Sequence, residues 1–145
     1  MPEVGRDDRE YWLKKLMGIG IEAHRLGEKL RDEELLLDPD GTVRQAKMAV
    51  YAIECECNAR NIRLIQSAPM KYRQRKLMKL RYIKKVEWKD LFRLMDTDLR
   101  YANRIHKGAL NRILRANISE DFKAEYIVEK ERLDALNPYV ADSGE

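Results

Sequence analysis

Cysteine is scarce in this chain, with Cys55 and Cys57 the only two. Standing two apart, they would project to roughly opposite sides of a helix, so a mutual disulfide is disfavoured and a reduced, cytoplasmic setting is expected. Long apolar runs are missing as well. Nowhere do about eighteen apolar residues follow one another, which excludes a membrane-spanning helix. The first apolar cluster, Trp12 to Ile21, is broken by Lys14 and Lys15 and follows a strongly charged start, unlike a signal peptide. Strand-like alternation, internal repeats and low-complexity sequence are absent, so helical periodicity is left to organise the chain.

The arrangements that carry catalysis or metal binding are missing too. There is no glycine-rich phosphate loop, and no serine or cysteine has a suitably placed histidine partner. His24 and His106 are far apart and no Cys-x-x-Cys spacing accompanies them, which argues against zinc. Asp38-x-Asp40-Gly41 begins like a calcium loop but lacks the third acid and the closing glutamate, and reads as a turn. Neither enzymatic activity nor a cofactor is expected.

Acidic residues are nearly lacking from one segment, and that absence is the most informative. Pro69 to Ala116 holds 15 of the 29 Lys and Arg but only 4 of the 25 Asp and Glu, a local charge of +11. The preceding segment is −2 and the following one −5, so the net +4 conceals a basic module between neutral and acidic flanks. Such a concentration is the footprint of a surface that meets phosphate, and the partner it predicts is double-stranded DNA.

Periodicity places this module in an all-α chain. After Asp7 and Asp8, Trp12, Leu16, Ile19, Ala23, Leu26 and Leu30 recur at steps of four and three, predicting one long first helix that ends near Arg31 to Glu34. Asp38-Pro39-Asp40-Gly41 is the turn, after which Thr42 caps a second helix carrying Val43, Ala46, Val50, Ile53, Cys57 and Leu64 to about Ser67. The two form a hairpin whose seam is used internally or, alternatively, in a homodimer through the N-terminal helices. Gly20 and Gly27, one heptad apart beside the seam, would allow a close helix approach.

Pro69 suits the first turn of a third helix, with Leu77, Leu80 and Ile83 inward. A short helix follows over about Glu87 to Met95. Asp96 tolerates the left-handed conformation of a sharp turn, and Asp98 is a good N-cap for a helix running to about Ala116. A last helix is expected from Ser119 to about Leu136, before Pro138. The expected divisions are a helical hairpin over 1–67, a helix-turn-helix over 68–116 and a C-terminal amphipathic helix and tail over 117–145.

A short helix, a turn and a longer helix within a basic segment form the pattern in which the second helix enters the major groove. Arg100, Asn103, Arg104 and Lys107 occupy one face near the start of that second helix, opposite Ala102, Ile105, Ala109, Leu110 and Ile113. Arginine pairs with two acceptors of guanine and asparagine with adenine, so this face is suited to reading bases. Lys79, Lys84, Lys85 and Lys89 suit phosphates, where a point charge positions without discriminating.

Three runs, Leu80-Arg81-Tyr82-Ile83, Glu87-Trp88-Lys89-Asp90-Leu91 and Arg104 to Leu114, resemble the promoter-reading C-terminal domain of bacterial sigma factors. The resemblance is closer to the sigma-like helix-turn-helix of small phage regulators of the ArpU type, and it covers about Met70 to Arg115. It implies a base-contacting face at Leu99, Arg100, Asn103 and Arg104, and a phage or prophage regulator of late genes acting in a bacterial host, with RNA polymerase as a further partner. The chain departs from the family at Phe92, where a small residue is usual, and at Asp96, where glycine is usual. Phe92 must therefore push the helices apart or turn outward. Leu99 replaces a position commonly polar, favouring contact with a thymine methyl. Two other readings stay open: a phage small terminase subunit, which joins a helix-turn-helix to a helical oligomerisation region, and a module that docks on RNA polymerase.

Overall fold

The computed structural model describes residues 6–36 and 41–138. Among these, seven helices and no strand are found: α1 (Arg6–Met17), α2 (Ile19–Leu36), α3 (Thr42–Ser67), α4 (Tyr72–Tyr82), α5 (Trp88–Leu94), α6 (Leu99–Ala116) and α7 (Phe122–Ala135). The chain is all-α, and no helix among the described residues is long and apolar enough to cross a membrane. The expected turn residues Asp38, Pro39 and Asp40 lie outside the described residues. Gly41, which follows them, has φ +76° and precedes α3 at its N-cap, a conformation that glycine adopts without steric cost.

The single long first helix expected from the apolar seam is two helices, broken at Gly18. Gly18 still donates to the Lys14 carbonyl, but the amides of Ile21 and Glu22 turn to the Gly18 carbonyl and start a new helix. A helix end buried in a core must find partners for its last carbonyls. Here α3 supplies them: Arg60 donates to Leu16 O at 2.9 Å and the buried Asn61 amide donates to Met17 O at 3.0 Å. Glycines at 18 and 20 weaken helix propagation at this point, and the two side chains stabilise the break.

The break separates two packing tasks. α2 runs antiparallel to α3 in a register that sets Gly20 against Cys57, His24 against Glu54 and Gly27 against Val50. A Cβ at Gly20 would stand 3.4 Å from that of Cys57, an ordinary van der Waals contact, so the two helices lie close at this point. Leu16, Ile19, Ala23, Leu26 and Leu30 are all buried within this one chain, so the seam is internal and offers no apolar strip to a second copy. α1 leaves the hairpin and packs on α6 and α7. Trp12 meets Tyr126 at 5.6 Å, and Arg9 donates to Leu114 O, Asn117 O and Glu120 O, capping the end of α6 from outside.

Two boundaries and one buried face differ from expectation for local reasons. Pro69 lies in the link before α4, which starts at Tyr72 after Lys71, whose amide donates to Gln74 Oε1 at 3.0 Å. The last helix is capped by Asp121 instead of Ser119, its carboxylate accepting from the Ala124 amide at 3.1 Å. On α4 the buried residues are Leu77, Met78 and Tyr82, while Leu80 and Ile83 are only half-buried. Tyr82 takes an inward place because its hydroxyl finds a partner there, described below. Buried residues from all seven helices join in one apolar core, tied at its edge by ion pairs of α7: Arg60 with Glu129, Lys130 with Glu22 and Arg132 with Glu56.

Candidate nucleic-acid interface

The turn between α5 and α6 is built from its own residues and clamped by α4. Asp96 adopts φ +53°, the left-handed conformation that redirects the chain, and the Thr97 amide donates to Phe92 O at 3.0 Å. The Asp98 carboxylate then accepts from the Tyr101 amide at 2.8 Å, capping α6 as expected. Arg73 reaches over from α4, donates to Met95 O at 2.8 Å and lays its guanidinium over the Tyr101 ring at 5.4 Å. Phe92 neither wedges into the core nor leaves it. Leu91 takes the fully buried place and Phe92 packs half-buried beside Trp88, their rings 6.3 Å apart.

α6 crosses α4 at Gly108, where a Cβ would come within 2.8 Å of the Gln74 amide nitrogen. The helix is strongly two-sided. Ala102, Ile105, His106, Ala109, Leu110, Ile113 and Leu114 are buried, while Leu99, Arg100, Asn103, Arg104 and Lys107 are exposed, Leu99 by 56 %. Leu110 and Leu114 stand one heptad beyond Asn103 and Lys107 on the same face, so the face that is open in the first half of the helix is closed in the second. α1 packs on α6, and its Arg9 reaches the Leu114 carbonyl there. What remains in solvent is the N-terminal half of α6, the part that a groove-reading helix presents to base edges.

The four lysines expected to face phosphate divide three to one. Lys79, Lys84 and Lys89 are exposed. Lys85 is turned inward with its side chain 7 % exposed, and its ammonium meets Asn58 Oδ1 at 2.8 Å, Glu54 Oε2 at 3.1 Å and Ile83 O at 3.2 Å. Its backbone, at φ +60°, points the side chain back towards α3. Lys85 is therefore a tie between the basic segment and the hairpin, and its charge is spent on Glu54.

Beneath the exposed half of α6, Tyr82 and His106 share a hydrogen bond of 2.8 Å, with the Trp88 ring edge-on to the imidazole at 5.0 Å. Burial, and then the positive charges of Lys14 and Arg81, push the His106 imidazolium down to about 4, and burial pushes the Tyr82 phenol up. His106 is thus neutral at physiological pH. Beside it opens a cleft of about 360 Å³ lined by Lys14, Arg25, Arg81, Trp88, Asn103 and His106, among others. Asn103 consequently stands at the border between the open face of α6 and this basic cleft. Lys14 and Arg81 were not legible as site residues, because they are 67 positions apart in sequence and meet only through the packing of the folded chain. Arg73 was equally hidden, since its role depends on a carbonyl 22 residues away.

Comparison of the chain with known protein families, with curated proteins and with solved structures finds no match.

Proposed function

We propose that the chain is a sequence-specific double-stranded DNA-binding regulator of transcription, with α5 and α6 as its helix-turn-helix and the N-terminal half of α6 as the reading element. One observation carries this: Leu99, Arg100, Asn103, Arg104 and Lys107 stand exposed together on the first turns of a helix whose opposite face is buried. Their chemistry fits the major groove, where arginine and asparagine recognise purine edges in pairs of hydrogen bonds. Lys79, Lys84 and Lys89 are exposed in the segment before it and fit the phosphate backbone. The sigma-like pattern of Leu80 to Leu114 supports promoter DNA as the class of target and phage or prophage late genes as the setting.

Binding to duplex DNA across a salt series is the test. Each neutralised phosphate contributes about −0.9 to the slope of log K against log salt, so several contacts give about −4 or steeper. A slope near zero overturns the reading. Selection of bound fragments from random DNA then yields the site, and failure to enrich any sequence removes base-specific recognition while leaving backbone binding.

A further inference from the structure

The basic cleft beside α6 is unusual in how its charges are spent. Arg81 is half-buried, donates to Val86 O at 3.0 Å and lies over the Trp88 ring at 5.3 Å, yet no carboxylate among the described residues comes within ion-pair distance of it. Burial disfavours its charge most, Tyr82 and the Glu87 carboxylate partly offset that, and the neighbouring Arg25 adds to it. Glu22 also lines the cleft and Glu87 stands close by, and both are engaged by other cations. Glu87 is held by Arg25 at 2.9 and 3.3 Å, and Glu22 is held by Lys130. Lys14, which comes into the cleft from the end of α1, makes no ion pair among the described residues.

Two cations outside any direct ion pair, one of them partly withdrawn from water, line with the Asn103 amide and an aromatic ring a concave space of about 360 Å³. A half-buried guanidinium outside any direct ion pair is costly, and a bound anion lowers that cost. The planar fork of arginine matches the oxygens of a phosphoryl group, lysine adds a point charge, and the asparagine amide can donate to a remaining oxygen.

We propose that this cleft binds a phosphoryl group, held by Arg81 of α4 and Lys14 of α1 with Asn103 of α6 at its rim. Two sources share that chemistry: the backbone of the duplex lying on α6, or a free phosphorylated small molecule. The first source rests on the DNA reading and the second does not.

Trp88 lines the cleft and reports on it, since an anion that draws on Arg81 alters the ring's surroundings. In the Trp12→Phe chain, Trp88 is the sole tryptophan. Inorganic phosphate, titrated against a chloride control of matched ionic strength, is expected to give a saturable change in emission. Lys14→Ala and Arg81→Gln, each in that background and checked for folding by circular dichroism, should weaken it by about tenfold or more. Lys123→Ala, a lysine of α7, should leave it unchanged. Because Lys14 is exposed, its variant keeps the test decisive even if the Arg81 variant fails to fold. If saturating phosphate also displaces duplex DNA, the backbone is the source; if duplex affinity is untouched, the ligand is a free phosphorylated molecule. No response beyond the chloride control, or a response retained in both variants, overturns the proposal. Loss of the salt-dependent DNA binding without loss of the phosphate response would sink the DNA reading alone.

Discussion

The Tyr82 hydroxyl and His106 Nε2 stand 2.8 Å apart inside the core, their rings stacked at 5.8 Å, and through them α4 holds the underside of the exposed half of α6. The placement of the candidate reading face therefore depends on one buried polar pair. Such a pair fixes orientation more sharply than apolar packing, because either partner left alone is costly.

The first prediction concerns acid. The His106 imidazolium sits near 4 in the folded chain against an ordinary 6.5, so between these values the unfolded chain takes up a proton that the folded chain refuses. Stability is therefore complete above about pH 6.5 and falls as pH drops towards 4, by up to about 1.4 kcal/mol per pH unit from this group. Urea unfolding at several pH values, on the wild type and on His106→Gln, isolates the effect. The two curves should converge as pH falls through that window; parallel curves would show that the histidine contributes no linkage.

A second prediction separates Lys85 from its neighbours. Lys85→Ala removes one partner from the Glu54 carboxylate, which keeps His24 at 3.1 Å, and should cost about 1–3 kcal/mol of stability. Duplex affinity, measured where the variant is folded, should be unchanged. Lys84→Ala should do the reverse, weakening DNA binding without a stability cost. An exchange of these outcomes would show that the inward placement of Lys85 does not hold in solution.

For the reading helix, Arg104→Ala should cost about 1–3 kcal/mol at the selected site and relax base preference there. Lys79→Ala should weaken all sequences about equally and make the salt slope shallower by about 1. Equal losses on selected and random DNA for Arg104→Ala would mean that α6 is not the reading element.

Leu26 tests the seam. It is 5 % exposed on α2, beside Leu133 of α7, so Leu26→Asp places a carboxylate in an apolar site, a cost comparable to the whole stability of a domain of this size. Circular dichroism should show a fall in helical content, and sedimentation should show no transition from dimer to folded monomer. A variant of full helicity and half the mass would place the seam between two chains.

How far the sequence revealed these features depended on the range of the interaction involved. Asp98 and Asp96 were legible because a cap and a left-handed turn are decided within a few residues. The apolar faces of α3 and α6 were legible from their period. Lys84 and Lys85 look alike as neighbours in sequence, and only the backbone at φ +60° and the distant Glu54 and Asn58 tell them apart. The break at Gly18 was hidden for the same reason. An unbroken seam of apolar residues runs through it, and the side chains that make the break favourable, Arg60 and Asn61, come from the next helix.

The packing of α1 on α6 bears on how the basic segment could be reused. Cut out as residues 68–116, it would carry an α6 stripped of the helix packed on it and a Leu114 carbonyl without its contact to Arg9. It is not a portable cassette. Grafting its specificity onto another protein would require carrying α1 and α7 as well, or repainting the covered half of α6 with polar residues. Exchanging only the exposed side chains from Leu99 to Lys107 on the intact chain is the route that leaves every buried contact in place.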